Sequence, residues 1–232
     1  GQYCHAYCTF CFRWAQFVGK ETRFNNNDVD ELHRYLKQHH EVTDLLLTGG
    51  DPMVMRTSKI RGYLEALKSP EFDHIKTIRI GTKSLTFWPH RYVSDSDGDD
   101  LLHLIRELVD AGKHVSFMAH INHIQELRSD VTRKAIALIL ATGAQIRTQA
   151  PLLNHINTDP NMWADMWKLQ TQLGMIPYYM FIERDTGSKR YFELPLYKTW
   201  EIFRDAYSQV SGMSRTVRGP SMSSGPGKIE II

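Results

Sequence analysis

The chain has no cysteine after residue 11, no long apolar run and no excess of charge of one sign. Its 28 Lys and Arg residues nearly match its 26 Asp and Glu residues, and the two signs are interspersed. We therefore expect no nucleic-acid partner and no anionic membrane surface. No apolar stretch approaches the ~20 residues that a membrane span needs. The first residues also lack the basic and apolar regions of a signal peptide.

Composition indicates an ordinary globular protein. The 232 residues are 42% apolar and 23% charged, which is typical of soluble domains. A chain of this length can bury a substantial core without disulfides. It fits one large domain or two small ones, and α/β barrels reach about 200–250 residues as a single unit.

Apolar β-rich runs alternate with amphipathic helical runs at a spacing of about 30 residues, which indicates parallel βαβ units. The predicted strands are 43–47, 76–81, 114–118, 145–149 and 175–181, and the predicted helices are 28–38, 58–67, 99–111, 130–141, 162–173 and 196–208. With Gln2 and Tyr3 as the stub of a first strand there are about six units, fewer than the eight of a closed barrel. The predicted fold is α/β, a partial (β/α)6 barrel, although a doubly wound sheet predicts the same alternation. Both place the chemistry at the carboxyl ends of the strands.

The end of the chain differs from this pattern. Residues 211–232 are rich in Gly, Ser and Pro, and we predict irregular structure for them. Residues 1–210 are predicted to form the barrel core. Neither an interdomain linker nor a low-complexity segment separates the two parts.

The three cysteines, Cys4, Cys8 and Cys11, form a C-x3-C-x2-C pattern. An odd, clustered set is a poor disulfide framework, so it indicates a reducing compartment, the cytoplasm, and a metal or cluster site. Three thiolates this close can hold one face of a cubane iron–sulfur cluster and leave one iron open to a ligand. An electron-transfer cluster needs a fourth cysteine. A zinc site also needs a fourth ligand, for which His5 is available at an unusual spacing, and three unligated buried cysteines are the remaining alternative.

The cysteine pattern, with Phe10 just before the third cysteine, resembles the motif of radical S-adenosylmethionine (SAM) enzymes. Further stretches resemble the lysine 2,3-aminomutase family and occur in family order; they are residues 11–19, 46–52, 78–82, 149–153, 177–179 and 226–228. The resemblance implies a [4Fe–4S] cluster on the three cysteines. It also implies reductive cleavage of SAM at the open iron, which yields a 5′-deoxyadenosyl radical that abstracts a hydrogen atom from the substrate.

Gly49, Gly50 and Asp51 follow a predicted strand. Paired glycines let a backbone approach a ligand closely, and a carboxylate beside them can bind an ammonium group. A glycine pair after a strand is often only a turn. The resemblance favours the ligand role, because it places these residues at the amino group of SAM and Phe10 at the adenine.

The resemblance implies roles for four further residues. Arg13 would bind the α-carboxylate of an amino-acid substrate, for which a guanidinium is well shaped, although a solvated surface arginine is the alternative. Lys228 would form a Schiff base with pyridoxal phosphate (PLP), whose ring stabilises the radical during 1,2 amino migration. The family lysine follows a longer glycine run than the one here, and a lone lysine in such a tail is usually solvated. Asn122 and Gln149 match family motifs and would line the SAM or PLP pocket.

The substrate is predicted from two departures from the family pattern. Lysine-specific members carry an aspartate shortly after the Pro-Tyr-Tyr strand and another shortly before the PLP lysine, where this chain has Arg184 and Ser221. An arginine repels an ammonium and attracts a carboxylate, so an acidic amino acid or another carboxylate-bearing molecule matches better than lysine. Alternatively, Asp185 or Glu183 replaces the aspartate through a shifted loop, or Arg184 only pairs with one of them at the surface.

Family members have a segment before the cluster that contributes PLP-phosphate contacts, and this chain begins three residues before Cys4, so we expect it to be truncated. The expected partners are a small amino-acid substrate and an electron donor of flavodoxin or ferredoxin type, and a homo-oligomer is left open. Two rival interpretations remain. One is a radical SAM enzyme of another reaction type that acts without PLP, for instance on a peptide. The other is a zinc-stabilised binding module without redox chemistry.

Overall fold

The computed structural model describes residues 3–14, 28–183, 187–225 and 227–231. In these residues a seven-stranded sheet curls into a half-barrel, and its strands follow one another in sequence order. The strands are β1 Asp44–Leu47, β2 Thr77–Thr82, β3 His114–His120, β4 Gln145–Leu152, β5 Ile176–Ile182, β6 Arg218–Ser224 and β7 Gly227–Glu230. Strands β1 to β6 pair in parallel, and β7 returns antiparallel to β6.

Helices connect the parallel strands. The α-helices are α1 Val29–Gln38, α2 Thr57–Leu64, α3 Ser84–Phe87, α4 His90–Val93, α5 Gly98–Asp110, α6 Asp130–Leu140, α7 Pro160–Gln172, α8 Lys189–Phe192 and α9 Leu196–Ser208. Short 3-10 turns cover Pro52–Val54, Glu65–Lys68, Pro70–Phe72, Ile124–Leu127 and Gly212–Thr216. Side-chain caps begin two of the long helices, since Asp28 accepts the amide of Glu31 and Asp159 accepts the amide of Asn161. No helix among the described residues is long and apolar enough to cross a membrane.

The core lies between the sheet and the helices. Ile80, Phe117, Ile146 and Met180 of four neighbouring strands belong to one buried apolar cluster with the helical side chains. Successive side chains of a strand point to opposite faces, so the residues between these project to the other, concave face. This concave face carries Arg79, Arg147 and Gln149 among other side chains.

The predicted α/β partial barrel is confirmed, with its six parallel strands. The source of the sixth strand was predicted wrongly. Tyr3 is not in a strand, Gln2 lies outside the described residues, and β6 comes from the segment predicted to be irregular. Gly, Ser and Pro have low strand propensity, so pairing with β5 rather than local preference creates β6. Gly219 permits this pairing, because its φ is 151° and a Cβ there would lie 2.6 Å from the Met180 carbonyl oxygen.

Candidate active site

The cysteine loop is bound to the turn that follows β1. The amide of Asp51 donates to the carbonyl oxygen of Tyr3 at 2.8 Å, and Arg13 Nη1 donates to the carbonyl oxygen of Gly49 at 3.1 Å. Gly50 lies directly against the backbone of Tyr3, and a Cβ at this position would be 2.6 Å from the Tyr3 carbonyl carbon. Gly49 has a φ of 137°, which favours glycine. The two motifs that the sequence singled out therefore lie in direct contact.

The three thiols are half-buried, and none is in a disulfide. The amide of Cys11 donates to the carbonyl oxygen of Cys8 at 3.1 Å, which folds the loop into a tight turn. Burial raises the pKa of Cys4 to about 11, with a further contribution from Asp51, and burial also raises the pKa of Cys8 and of Cys11. Thiolates in this loop therefore need a bound cation for stability at neutral pH.

The donor set fits an iron–sulfur cube. In the described part of the chain, no group of three His, Cys, Asp or Glu side chains is arranged to hold one metal ion. The protein ligands of a cubane cluster each bind a different iron, so they need not converge on one point. A loop with three thiols and no fourth cysteine in the sequence suits a cluster that keeps one iron open.

Asp51 is almost fully buried, with 5% of its surface exposed, and its two oxygens are used by the chain itself. They accept from the Thr82 hydroxyl at 2.7 and 2.8 Å, from the Met53 amide at 3.0 Å and from the Lys83 amide at 2.8 Å. His5 Nε2 lies 3.1 Å from Oδ2, without hydrogen-bond geometry. An ammonium group of SAM would have to share these oxygens, so the role predicted for Asp51 stays a prediction. The structural role is plain: Asp51 links the ends of β1 and β2.

A chain of polar contacts continues from Asp51 across the carboxyl ends of four strands. We call it the strand-end network; its members are Asp51, Lys83, Glu126, Asn122 and Asn157. Lys83 Nζ donates to Glu126 Oε2 at 3.1 Å, and Glu126 Oε1 accepts the amide of Asn122 at 2.9 Å. Asn157 Nδ2 donates to the carbonyl oxygen of Asn122 at 3.0 Å. The sequence analysis missed Lys83 and Glu126. Their position just after β2 and β3 was the one available signal.

Phe10 lies beside a buried polar pair. Its ring packs edge-on against His120 at 5.9 Å and against Phe192 at 6.0 Å, measured between ring centroids. His120 Nε2 and Asn122 Oδ1 are sealed from solvent and have no hydrogen-bond partner among the described residues. Burial, with Lys83 next, lowers the pKa of His120 to about 3, so the imidazole is neutral. Polar atoms left unpaired beside an aromatic ring are suited to a bound ligand.

The chain is 34% identical over 229 residues to a protein of Aquifex aeolicus named "Putative L-lysine 2,3-aminomutase", with 99% of this chain and 59% of the relative covered. It is 24% identical to the glutamate 2,3-aminomutase of Clostridioides difficile, over 99% of this chain and 51% of that protein. A radical SAM methyltransferase from Sphaerobacter thermophilus shares the fold, with a TM-score of 0.56 and 14% identity over 85% of this chain and 57% of that one. No family model matches the sequence.

Over nearly its whole length the chain is similar to proteins named lysine or glutamate 2,3-aminomutase, and its half-barrel matches the fold of a radical SAM structure. The chain spans about 59% of the length of the Aquifex relative. The relatives' activities are therefore proposals for this chain.

Lys228, the residue that the lysine 2,3-aminomutase family pattern assigns to PLP, lies on β7 over two aromatic rings of β5. Its Nζ is 3.7 Å from the ring centroid of Tyr179 and 4.6 Å from that of Phe181. Partial burial lowers the pKa of Lys228, and the charges of Arg218 and Arg79 lower it further. A more readily deprotonated amine is a better nucleophile for a carbonyl group.

Among the described residues, the concave face of the half-barrel carries more cations than carboxylates. Arg79 pairs with Asp44 at 2.7 Å, and Arg218 pairs with Glu230 at 2.6 Å. Arg147 lies over a tyrosine ring of β5 at 5.4 Å and has no ion pair within the described ranges. Together with Lys228, this wall offers unbalanced positive charge to an anionic ligand.

Two further predicted residues lie close to these groups. Gln149 is half-buried on β4 and aligns with His120 of β3 and Tyr179 of β5 in the strand register. Arg13 lies 5.5 Å from the Phe12 ring centroid, in addition to its bond to the turn after β1. The structure thus brings Arg13 to the cysteine loop, whereas its predicted role toward a substrate carboxylate stays a prediction.

Only some of the residues predicted to select the substrate are among the described residues. Arg184 and Asp185 lie outside the described residues. Glu183, at the end of β5, is half-buried, and its Oε1 has no hydrogen-bond partner in the described part of the chain. Burial raises the pKa of Glu183 to about 7, and its charge acts on Cys11. Ser221 is fully buried beside Phe181, and its hydroxyl has no hydrogen-bond partner in the described chain either.

Proposed function

We propose that the protein is a radical SAM isomerase that moves an amino group between adjacent carbons of an amino acid, with a [4Fe–4S] cluster, SAM and PLP as cofactors. The observation that carries this proposal is the direct contact between the cysteine motif and the glycine motif. The loop with Cys4, Cys8 and Cys11 is hydrogen-bonded to the glycine turn after β1, at the carboxyl end of a parallel half-barrel. Sites of this fold class lie at that end.

The chain's own residues have distinct tasks in this proposal. The three thiolates hold the cluster, and the bound cluster supplies the electron that cleaves SAM to the 5′-deoxyadenosyl radical. Phe10 and Asn122 contact SAM, with the neutral His120 imidazole beside them. Gly50 keeps the loop against the β1 turn, since no larger residue fits between them. Arg13 orients the α-carboxylate of the substrate.

The surroundings of Lys228 support the use of PLP. Two aromatic faces hold the amine, two nearby arginines lower its pKa, and the wall around it has an excess of cations that suits a phosphate. PLP, when bound, supplies a conjugated ring that delocalises an unpaired electron. Gln149 lies on the same face of the sheet and would line this pocket.

For the substrate, we propose an amino acid with a second carboxylate. Arg184, and Arg147 with no ion pair among the described residues, both favour a negative group over a second ammonium. The similarity to a glutamate 2,3-aminomutase agrees with this class. A radical SAM reaction of another type, without PLP, is the alternative, and a flavodoxin- or ferredoxin-type protein would donate the electron in either case.

The first test is anaerobic reconstitution of iron and sulfide, followed by dithionite reduction with SAM and assay for 5′-deoxyadenosine. We expect production in the unmodified protein and none in Cys8→Ala, because two thiolates do not hold the cluster. The experiment should use the longer protein if one exists. A folded protein that binds zinc without iron would overturn the enzyme interpretation in favour of the binding module.

The second test concerns PLP. The protein mixed with PLP should show an absorbance band that Lys228→Ala abolishes and that Lys134→Ala retains. Lys134 is an exposed lysine of α6 and controls for non-specific reaction of PLP with surface amines. Equal bands in both variants would assign the binding to surface lysines and would favour the PLP-independent alternative.

The third test concerns substrate choice. Arg184→Asp should weaken turnover of a glutamate-like substrate and admit lysine, because it reverses the charge at the position where lysine-specific members carry an aspartate. The ratio of turnover of the two amino acids is the readout. An unchanged ratio would return Arg184 to the role of a surface residue.

A further inference from the structure

A lysine is buried at the carboxyl end of β2. Lys83 follows β2 directly, and only 7% of its surface is exposed. Its Nζ donates to Glu126 Oε2 at 3.1 Å and to the carbonyl oxygen of His120 at 3.4 Å, and it lies 4.0 Å from the ring centroid of Phe87. Burial of a lysine is costly unless the charge is paired, so the ion pair with Glu126 accounts for its location.

The partner carboxylate is held as firmly as the lysine. Glu126 Oε2 also accepts the hydroxyl of Thr86 at 2.6 Å, and Oε1 accepts the amide of Asn122 at 2.9 Å. The side chain of Glu126 is 16% exposed. Both oxygens therefore have fixed donors, and the two opposite charges of the pair occupy defined positions.

Lys83 is connected to the cysteine loop by covalent and hydrogen bonds. Its amide donates to Asp51 Oδ2 at 2.8 Å, and the amide of Asp51 donates to the carbonyl oxygen of Tyr3, the residue before Cys4. The carbonyl oxygen that accepts from Lys83 Nζ belongs to His120, whose ring centroid lies 5.9 Å from that of Phe10, the residue before Cys11. These contacts attach the buried ion pair to the loop that carries the three cysteines.

We propose that Lys83 and Glu126 set the reduction potential of the cluster held by the three cysteines, with Lys83 raising the potential and Glu126 lowering it. The inference rests on the proposed cluster but on neither PLP nor the substrate. Reduction adds one electron from a low-potential donor to the oxidised cluster, so a nearby cation stabilises the product and a nearby anion opposes it. Because the pair is buried, solvent screens this effect only weakly.

The experiment is a potentiometric titration of the reconstituted protein without SAM, followed by electron paramagnetic resonance of the reduced cluster. Lys83→Met should lower the ratio of reduced to oxidised cluster at a fixed potential by about tenfold, which corresponds to about 59 mV for a one-electron couple. Glu126→Gln should raise the same ratio, because it leaves the cation without its counter-charge. Lys83→Arg keeps the charge and should stay near the unmodified protein.

Lys113→Met is the matched control. Lys113 is also a buried lysine, 5% exposed, but it lies at the opposite end of the sheet, where it donates to the carbonyl oxygens of Phe72 and Ile75. Its removal should leave the potential unchanged. General structural damage would shift the reduction potential of Lys83→Met and of Glu126→Gln in the same direction, whereas the proposal requires shifts of opposite sign.

Shifts of one sign in both variants, or no shift in either, would overturn the inference. If Lys83→Met does not retain a cluster, Glu126→Gln decides alone, and an unchanged or lower potential rejects the proposal. Failure of the unmodified protein to assemble any cluster would instead reject the proposed function.

Discussion

The two ends of the sheet each bury a lysine, and they do so in different ways. At the amino end, Lys113 donates to two main-chain carbonyl oxygens, those of Phe72 and Ile75. At the carboxyl end, Lys83 pairs with the carboxylate of Glu126 within the strand-end network. Lys113 stabilises a turn by donating hydrogen bonds to its main-chain carbonyl oxygens. Lys83 adds a fixed dipole of side-chain charges beside the cysteine loop.

This difference follows the division of labour in barrels of parallel strands, where stability concentrates at the amino end and chemistry at the carboxyl end. A hydrogen bond to a main-chain carbonyl oxygen contributes to folding whatever the neighbouring side chains are. Side-chain charges at the other end cost more to bury, and their retention there indicates a use beyond stability. Three pairs of substitutions test the comparison, from the largest expected effect to the smallest.

Gly50→Ala should have the largest effect and should act only at the carboxyl end. The added methyl group would overlap the Tyr3 backbone, so the segment that carries Cys4 must move. We expect loss of most iron per chain after reconstitution, with the far-ultraviolet circular dichroism spectrum retained.

Gly62→Ala is the control for this substitution. Gly62 lies within α2, and a Cβ there meets nothing within 4 Å. It should keep full iron content and gain up to about 1 kcal/mol of stability from helix propensity. Equal iron content in both variants would show that the loop does not depend on its contact with Gly50.

The two buried lysines should differ in their contribution to stability. Lys83→Met leaves the Glu126 carboxylate buried without its counter-charge, so the free energy of unfolding should fall by about 3–5 kcal/mol. Lys113→Met leaves only neutral carbonyl groups unpaired and should lower it by about 1–3 kcal/mol. Urea denaturation of the two variants measures both values. A larger loss in Lys113→Met would remove the distinction between the two ends.

The smallest expected effect is a pH dependence at the carboxyl end. The pKa of His120 is lowered from 6.5 to about 3, chiefly by burial, so the folded state keeps this imidazole neutral while the unfolded state binds a proton. The stability that depends on this group is fully present above pH 6.5. It is lost as the pH falls from there toward 3, at up to about 1.4 kcal/mol per pH unit.

Urea denaturation at pH 7.5 and pH 5.5 measures this dependence. His120→Gln should flatten the acid dependence of the free energy of unfolding, whereas His103→Gln should not, because the side chain of His103 is 68% exposed. A curve that keeps its slope in His120→Gln would assign the acid sensitivity to other groups.

Strand and helix periodicity predicted most of the sheet well. The boundaries of α9 agree with the structure, and those of α1 and β2 differ by about one residue, because these segments bury one face and alternate at a regular period. The same approach failed for β6 and β7. Their Gly, Ser and Pro residues have no strand preference of their own, and pairing with a neighbouring strand creates them.

The candidate site also has features that local sequence predicts and features that depend on long-range contacts. The cysteine spacing predicted a cluster site and, with further stretches in family order, the family resemblance, because three candidate ligands in one loop are set by local sequence. Lys83 and Glu126 were missed, since they are 43 residues apart and only the parallel sheet brings their side chains together. The sequence also suggested that Gly50 approaches a ligand, whereas the structure shows it against Tyr3.

The sequence by itself therefore determined the candidate ligands of the proposed cluster and the alternation of strands and helices, since both depend on residues close together in the chain. Tertiary structure decided which charges surround the cysteines and which rings surround Lys228. Those arrangements join the ends of strands that are far apart in sequence, and buried charges act over distances that only the folded chain defines.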